Sequence, residues 1–197
     1  YTATLSDGSA LPSWLSFDAA TQTFSGTPLN GDVGSITVEV TATDTAGLAI
    51  NDTFSITVTN TNDAPTVPNA IADQNVDEDS VLSFTVPADT FNDVDANDTL
   101  PYTAALSDGS ALPSWLSFDA ATQTFSGTSL NGDVGAINVT VTTTDGSAAT
   151  VSDTFTLTVA NTNDAPTAVA LSSIGVPEKI DGAVVGTLTT TDVDVGD

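Results

Sequence analysis

The sequence predicts an all-β protein built from tandem seven-stranded Greek-key β-sandwiches. Short runs rich in β-branched and aromatic residues alternate with polar ones, and turn dipeptides separate them. The chain also repeats itself: residues 1–66 align with residues 102–167 without a gap, and only 16 of the 66 pairs differ. A period of 101 residues suits a sandwich module. A solenoid turn would take only ~20–50 residues.

The strands of the complete repeat are expected where the alternation is strongest, at 81–86, 102–106, 115–118, 136–142 and 151–159. The turn signals between them are Asp108-Gly109, Asn131-Gly132 and Asp145-Gly146. Two antiparallel sheets should enclose a core formed by Trp115, Leu116, Phe118, Phe125, Val139, Val141, Phe155, Leu157 and Val159. Trp14 and Trp115 are each flanked by Leu and Phe, so we expect core residues rather than sugar-stacking platforms.

The duplication also predicts three domains. Residues 1–63 form the C-terminal part of one repeat, 64–164 a complete repeat, and 165–197 the N-terminal part of the next. In the third segment, Val176-Pro177-Glu178 stands where Val76-Asp77-Glu78 stands in the complete repeat. Because the two ends are complementary, we expect a head-to-tail array in which residues 165–197 of one copy complete the sandwich begun by residues 1–63 of the next.

The charge of the chain excludes several classes of partner. There are 26 acidic residues and one basic residue, which is Lys179, so the net charge is −25. Nucleic acids and anionic membrane surfaces are therefore repelled, and cations are the expected partners. The absence of Cys, Met and His removes thiol chemistry, soft-metal sites and the commonest general base. No apolar run approaches the ~18 residues of a membrane span.

A six-residue segment, Asn-Thr-Asn-Asp-Ala-Pro, follows the last strand of each repeat at 60–65 and 161–166. Its proline prevents further strand pairing, which is typical of a junction between modules. Its amide, carboxylate and carbonyl oxygens are the ligands that hard cations prefer. The segment therefore predicts a hinge that is stiffened by Ca²⁺.

The long phrase from Leu112 to Thr128, followed by Asp133-Val134-Gly135 and Asn163-Asp164-Ala165-Pro166, resembles the dystroglycan-type cadherin-like (Ig-like) modules of large bacterial surface and adhesin proteins. The third segment, with Val176-Pro177-Glu178 and Asp192-Val193-Asp194, is similar to the opening of a cadherin repeat. The resemblance implies Ca²⁺ bound between neighbouring modules.

The resemblance also implies a ligand set at each junction. At the first junction the matching residues are Asn62, Asp63, Glu78, Asp93, Asp95 and Asp145. At the second they are Asn163, Asp164, Glu178, Asp192 and Asp194, with Asp44 of the next copy completing the site. The other acidic cluster of the family is replaced by Phe24-Ser25-Gly26 and Phe125-Ser126-Gly127, so one or two ions per junction are expected rather than three. Asp119 and Asp133 are assigned to turns.

Two functions remain open at this point. The first is a calcium-stiffened segment of a long extracellular adhesin, stalk or filament protein, secreted or attached to the cell surface, whose partners are neighbouring repeats. The alternative is a polysaccharide-binding accessory module of a secreted enzyme, which would need exposed aromatic residues. No enzymatic activity is expected, because the paired carboxylates Asp93 and Asp95 have no nucleophile, His or Lys near them in the sequence.

Overall fold

The computed structural model describes residues 1–95, 98–176, 178–179 and 181–194, and its regular structure consists of β-strands and two single 3-10 turns. This confirms the predicted all-β class. In the described ranges, no helix has the length and apolar character needed to cross a membrane. Backbone contacts divide the chain into two compact units, Tyr1–Ala64 with Asp93–Thr99 and Pro65–Asn92 with Leu100–Asp197.

The first unit contains five strands in two small sheets. They are β1 (Thr2–Leu5), β2 (Leu15–Asp18), β3 (Thr23–Gly26), β4 (Gly34–Thr43) and β5 (Ala49–Val58). Strands β1, β4 and β5 form an antiparallel sheet in that order, and β2 pairs with β3 as a hairpin. Among the described apolar residues of this unit, only Leu15 and Val38 are buried. The first unit therefore has little core of its own.

The second unit contains all seven strands of the complete repeat, the number that was predicted. They are β6 (Gln74–Asp77), β7 (Val81–Thr85), β8 (Tyr102–Leu106), β9 (Leu116–Asp119), β10 (Thr124–Thr128), β11 (Gly135–Thr144) and β12 (Thr150–Ala160). One sheet has the order β6-β12-β11-β8 and the other the order β7-β10-β9. Two further strands, β13 (Ala168–Leu171) and β14 (Leu188–Thr191), pair with each other.

The expectation of purely antiparallel sheets is wrong at one edge, where β6 runs parallel to β12 with Val76 opposite Val159. The sequence of β6 is Gln-Asn-Val-Asp, which is too polar to give a strand signal by alternation, so the direction of its pairing could not be predicted. Side chains outside the ladder hold the segment before β6 on β12. The Asp153 carboxylate accepts the N–H of Ile71 at 2.6 Å, and the Asp73 carboxylate accepts the N–H of Thr156 at 2.7 Å.

The two sheets of the complete repeat pack face to face around aromatic rings. The ring of Phe155 on β12 lies 5.6 Å from that of Phe84 on β7 and 5.6 Å from that of Phe125 on β10, in edge-on arrangements. The predicted inward positions Val139, Val141, Phe155, Leu157 and Val159 are all buried, together with Leu116 and Phe125. Phe118 and Trp115 are half-buried and pack against this core. Alternation along the strands therefore predicted the core correctly.

The aspartates assigned to turns behave as expected. The Asp119 carboxylate accepts the N–H of Ala121 at 2.9 Å, and this bond holds the pKa of Asp119 below its usual value. The Ser110 hydroxyl and N–H do the same for the pKa of Asp108. The Asp133 carboxylate accepts the N–H of Leu130 at 3.0 Å and closes a 3-10 turn at Asn131–Asp133. Local turn formation accounts for these carboxylates without a metal ion.

We expect the stability of the second unit to fall in alkaline solution because of Tyr102. Burial raises the pKa of its phenol above the ordinary value of 10.0. A group whose pKa is raised in the folded state contributes stability that is present below its unfolded pKa and is lost as the pH rises through the folded one. Urea unfolding between about pH 9 and 11 should therefore show a decline that Tyr102→Phe removes. Tyr1→Phe is the control, and an equal effect of both changes would contradict the assignment.

Candidate metal centre

A buried carboxylate lies at the end of β6. Glu78 follows this strand directly, and its side chain is only 1% exposed. Its N–H donates to the carbonyl of Ala160 at 2.9 Å, and its Oε1 accepts the N–H of Thr162 at 2.7 Å. Its Oε2 is buried and has no hydrogen-bond partner. A buried, half-satisfied carboxylate is costly unless something else neutralises it.

Two more carboxylates meet Glu78. Asp164 lies in the segment after β12, and Asp194 lies just after β14. One carboxylate oxygen from each of Glu78, Asp164 and Asp194 lies within 4.8 Å of the others, and we call these three residues the Glu78 cluster. The N–H of Asp164 also donates to Oδ2 of Asp194 at 2.6 Å. The linker and the following segment are thus tied together at this point.

The position of Glu78 follows from the topology of the sheet. The resemblance assigns Glu78 to the first junction, but its carboxylate lies with Asp164 and Asp194, which belong to the second. Because β6 is parallel to β12, the C-terminal ends of both strands lie at the same edge. Glu78 follows the first strand and the Asn161–Pro166 segment follows the other. A parallel pair of this kind cannot be inferred from local sequence.

The Glu78 cluster fits a hard divalent cation. Ca²⁺ binds oxygen ligands at about 2.3–2.6 Å, so two oxygens on one ion can be at most about 5 Å apart. The three carboxylate oxygens lie within 4.8 Å of one another, so a single ion could contact all three. Among the described residues no cationic side chain neutralises the cluster, since Lys179, the sole Lys or Arg in the sequence, pairs with Glu178 at 3.5 Å. The site can therefore bind a cation through hard oxygen ligands.

Two asparagine side chains extend the cluster: Asn161 belongs to the predicted junction segment, whereas Asn131 was not predicted as a site residue. The amide nitrogens of Asn131 and Asn161 donate to Oδ1 of Asp194 at 3.1 and 3.2 Å. Asn131 was predicted only as a turn residue. The contact between Asn131 and Asp194 spans 63 residues, so no local pattern could indicate it. The only sign of its role in the sequence is that the equivalent residue of the first repeat, Asn30, is also an asparagine.

The first unit repeats part of this arrangement. The N–H of Asp63 donates to Oδ2 of Asp95 at 2.7 Å, and the N–H of Asp95 donates to Oδ1 of Asp93 at 2.9 Å. The equivalent bonds at the second junction join Asp164 to Asp194 and Asp194 to Asp192, at 2.6 and 3.0 Å.

The asparagines around the two junctions are arranged only partly alike. The amides of Asn62 and Asn163 donate to the carbonyls of the aspartates that follow them, at 3.0 and 2.9 Å. Asn30, however, donates to Oδ2 of Asp63 at 2.8 Å, whereas its counterpart Asn131 donates to Asp194. Oδ2 of Asp93 and Oδ1 of Asp95 are buried without a hydrogen-bond partner. The two junction segments therefore share the backbone-to-carboxylate bonds but not the side-chain contacts.

The remaining predicted ligands occupy different surroundings. Asp44 and Asp145 each close a turn, and one oxygen of each accepts two backbone N–H groups. Asp145 is buried, whereas Asp44 is exposed. The Glu178 side chain is 87% exposed and pairs with Lys179, so it is not part of the Glu78 cluster. The roles predicted for Asp44 and Asp145 remain predictions.

The fold and its repetition define a class of protein: a tandem array of Ig-like β-sandwich modules with acidic segments after their final strands. Residues 1–59 and 64–160 match the model of the He_PIG family, whose description is "Putative Ig domain". The chain belongs to this family. Its all-β repeats and family membership agree with the expectation that it is not an enzyme.

The chain is also similar to a bacterial adhesin and to cadherin ectodomains. The chain is 37% identical over 145 residues to the "Serine-rich adhesin for platelets" of Staphylococcus aureus, a match that covers 74% of the chain and 6% of that protein. The chain thus corresponds to a small part of this relative. Among solved structures, human CDH23 EC21-23 is similar with a TM-score of 0.68 at 19% identity, covering 98% of the chain and 67% of the other.

A second solved structure has the same fold. Protocadherin Gamma B2 extracellular cadherin domains 1-5 is similar with a TM-score of 0.59 at 15% identity, covering 92% of the chain and 37% of the other. At these identities, the two likenesses establish a cadherin-like fold and nothing further.

Proposed function

We propose that the chain is a calcium-stiffened segment of a long extracellular or cell-surface adhesin, with repeats that follow one another head to tail. The observation that carries the proposal is the buried Oε2 of Glu78, which lacks a partner and lies beside the carboxylates of Asp164 and Asp194. An ion bound there would neutralise the repulsion among the three carboxylates. It would also join the end of the complete repeat to the segment after β14.

The adhesin relative and the family support the extracellular setting. The proposed ligands are Glu78, Asp164 and Asp194, and Asp192 and Asn163 adjoin them through hydrogen bonds. In the first unit, Asp63, Asp93 and Asp95 would take the equivalent roles. No observation favours the polysaccharide-binding alternative, since Trp115 packs against the core instead of forming an exposed platform.

We expect Ca²⁺ to raise the melting temperature and to increase the radius of gyration of the protein. An ion that binds only the folded junction stabilises it by mass action, by roughly 2.7 kcal/mol at a hundredfold excess over its dissociation constant. Calorimetry and small-angle scattering should be recorded on one preparation, first with excess chelator and then with excess Ca²⁺. A hinge stiffened by the ion predicts a more extended molecule in the second condition.

The control for this experiment is Asp108→Asn. Asp108 lies in the turn after β8, and its carboxylate accepts the N–H of Ser110. Its response to Ca²⁺ should equal that of the unmodified chain, whereas Asp194→Asn should bind the ion more weakly. The proposal is wrong if chelator and Ca²⁺ give the same melting curve and the same scattering profile. It is also wrong if Asp108→Asn and Asp194→Asn weaken binding equally, because the effect would then be one of net charge.

A further inference from the structure

The Asn131-Gly132 dipeptide lies beside the Glu78 cluster. It begins the 3-10 turn Asn131–Asp133 between β10 and β11, where Asn131 is half-buried and Gly132 is exposed. The amide nitrogen of Asn131 donates to Oδ1 of Asp194 at 3.1 Å. A change in the chemistry of this one side chain would therefore act directly on a carboxylate of the cluster.

The structure gives no steric reason for a glycine after Asn131. A Cβ at Gly132 would meet no atom within 4 Å, and the backbone of Gly132 lies outside the left-handed region that favours glycine. The same is true of Gly31, in the equivalent turn Asn30–Asp32 of the first unit. What glycine does provide is an unhindered backbone nitrogen next to the asparagine side chain, because it carries no side chain of its own.

A backbone nitrogen in this position can attack the side-chain amide of the preceding asparagine. The nitrogen of Gly132 forms a bond to Cγ of Asn131, the bond from Cγ to Nδ2 breaks, and the amide leaves as ammonia with the proton of the attacking nitrogen. Water then opens the cyclic imide at either carbonyl and gives aspartate or its β-linked isomer, isoaspartate. The reaction needs water and no oxidant or reductant.

The local structure leaves this reaction open. The two backbone hydrogen bonds that close the turn come from the N–H groups of Asp133 and Val134, so the nitrogen of Gly132 is not engaged in closing it. Gly132 is exposed, and water therefore reaches the site. The Asn131 amide has to release Asp194 before the ring can form, so the hydrogen bond between them sets part of the barrier.

The sequence contains two Asn-Gly dipeptides, and both lie at a proposed cation site. Asn131 donates to Asp194, and Asn30 donates to Oδ2 of Asp63 at 2.8 Å. No other asparagine in the sequence is followed by glycine. The most reactive kind of asparagine is thus confined to the places where a new carboxylate would lie against an existing one.

We propose that Asn131 is a deamidation site and that its product adds a fourth carboxylate to the Glu78 cluster. The amide that donates to Asp194 becomes an acceptor, so two negatively charged side chains face each other when no ion is bound. A bound cation gains a charged ligand from the same change, and Ca²⁺ affinity depends on the number of charged ligands. Deamidation therefore makes the junction less stable without Ca²⁺ and more dependent on the ion as the protein ages. The effect on Ca²⁺ rests on the proposed function, whereas the reaction itself does not.

The first experiment measures the reaction in the full chain, incubated in warm, mildly alkaline buffer and then digested with chymotrypsin. The peptide that contains Asn131 should gain the mass that corresponds to replacement of NH₂ by OH, and isoaspartate should appear at that position. Gly132→Ala should slow the reaction by about 10-fold or more, because its methyl group hinders the attacking nitrogen. Asn138 is the internal control, since it is followed by valine within the paired strand β11, and it should stay unmodified.

The second experiment uses Asn131→Asp, which reproduces one of the two products. In excess chelator this variant should melt at a lower temperature than the unmodified protein. Calorimetric titration should show that it binds Ca²⁺ about 10-fold more tightly. Asn138→Asp is the matched control, because it adds the same charge at an exposed position of β11, where Oδ1 of Asn138 accepts the Thr156 hydroxyl at 3.3 Å. Its affinity for Ca²⁺ should equal that of the unmodified protein.

Three results would overturn the inference. They are an Asn131 peptide that keeps its mass throughout the incubation, a Gly132→Ala variant that reacts as fast as the unmodified chain, and equal Ca²⁺ affinities of Asn131→Asp and Asn138→Asp. Failure of the calcium proposal has a different signature. Asn131 would still deamidate and Asn131→Asp would still melt at a lower temperature in chelator, but added Ca²⁺ would change the melting temperature of neither protein.

Discussion

Replacing Glu78 with Gln is expected to raise the melting temperature of the calcium-free protein and to lower that of the calcium-saturated protein. Without an ion, the buried carboxylate faces Asp164 and Asp194, and its Oε2 has no partner. Gln removes the charge and adds an N–H donor that can bond to either aspartate. The free energy of unfolding of the calcium-free protein should rise by about 1–3 kcal/mol, which is the cost of a buried unsatisfied polar group.

With Ca²⁺ bound, the same change removes a charged ligand. The affinity of the site should fall, and with it the stabilisation by mass action, which is roughly 2.7 kcal/mol at a hundredfold excess of the ion. The variant should therefore melt at a higher temperature than the unmodified protein in chelator and at a lower temperature in saturating Ca²⁺. No purely structural role of Glu78 would reverse the sign of the effect when an ion is added.

Glu178→Gln is the matched control for this reversal. It makes the same chemical change at the glutamate that the resemblance assigns to the second junction, but this side chain is exposed and paired with Lys179. Loss of a surface ion pair lowers the free energy of unfolding by about 0–1 kcal/mol, and this decrease should be the same with and without Ca²⁺. A calcium-dependent effect of Glu178→Gln combined with a calcium-independent effect of Glu78→Gln would contradict the assignment of the ligand.

Gly127→Ala is expected to destabilise the complete repeat by about 3 kcal/mol or more. A Cβ at this position would lie 1.9 Å from the carbonyl oxygen of Trp115 and 2.9 Å from its carbonyl carbon. Both atoms belong to the backbone of the segment that leads into β9, with which β10 is paired. Relief of the clash would require the hairpin to separate, so part of the ladder between these strands would be lost.

Gly132→Ala is the control for this change, because a Cβ at Gly132 would meet no atom within 4 Å. It should alter the free energy of unfolding by no more than about 0.5 kcal/mol. Urea unfolding followed by circular dichroism measures both variants under one set of conditions. Equal stability of the two variants would mean that β9 and β10 are not as close as the structure has them.

Local patterns in the sequence were sufficient for the class of fold and for most of the core. Alternation identified Val139, Val141 and Phe155 as inward-facing because a strand places successive side chains on opposite faces. The turn aspartates could be recognised for a similar reason, since Asp119 bonds to a neighbour two residues away. In each of these cases, the relevant physical contact lies within one strand or one turn.

The candidate site could be predicted only in part. The Asn163-Asp164 segment and the Asp192-Val193-Asp194 motif carry recognisable oxygen ligands. Glu78 lies beside Asp164 and Asp194 because β6 pairs in parallel with β12, a contact between residues more than 80 positions apart. The bond between Asn131 and Asp194 is likewise a property of the packed structure. Long-range register is set by the whole core, so short motifs carry little information about it.

The parallel pairing of β6 with β12 also has a mechanical consequence. These strands lie near the beginning and near the end of the complete repeat, and they run side by side in register from Gln74 opposite Leu157 to Asp77 opposite Ala160. When tension is applied to the two ends of the repeat, it pulls the strands along their axes in opposite directions. The hydrogen bonds of the ladder then bear the load together in shear, whereas an antiparallel terminal pair would unzip one bond at a time.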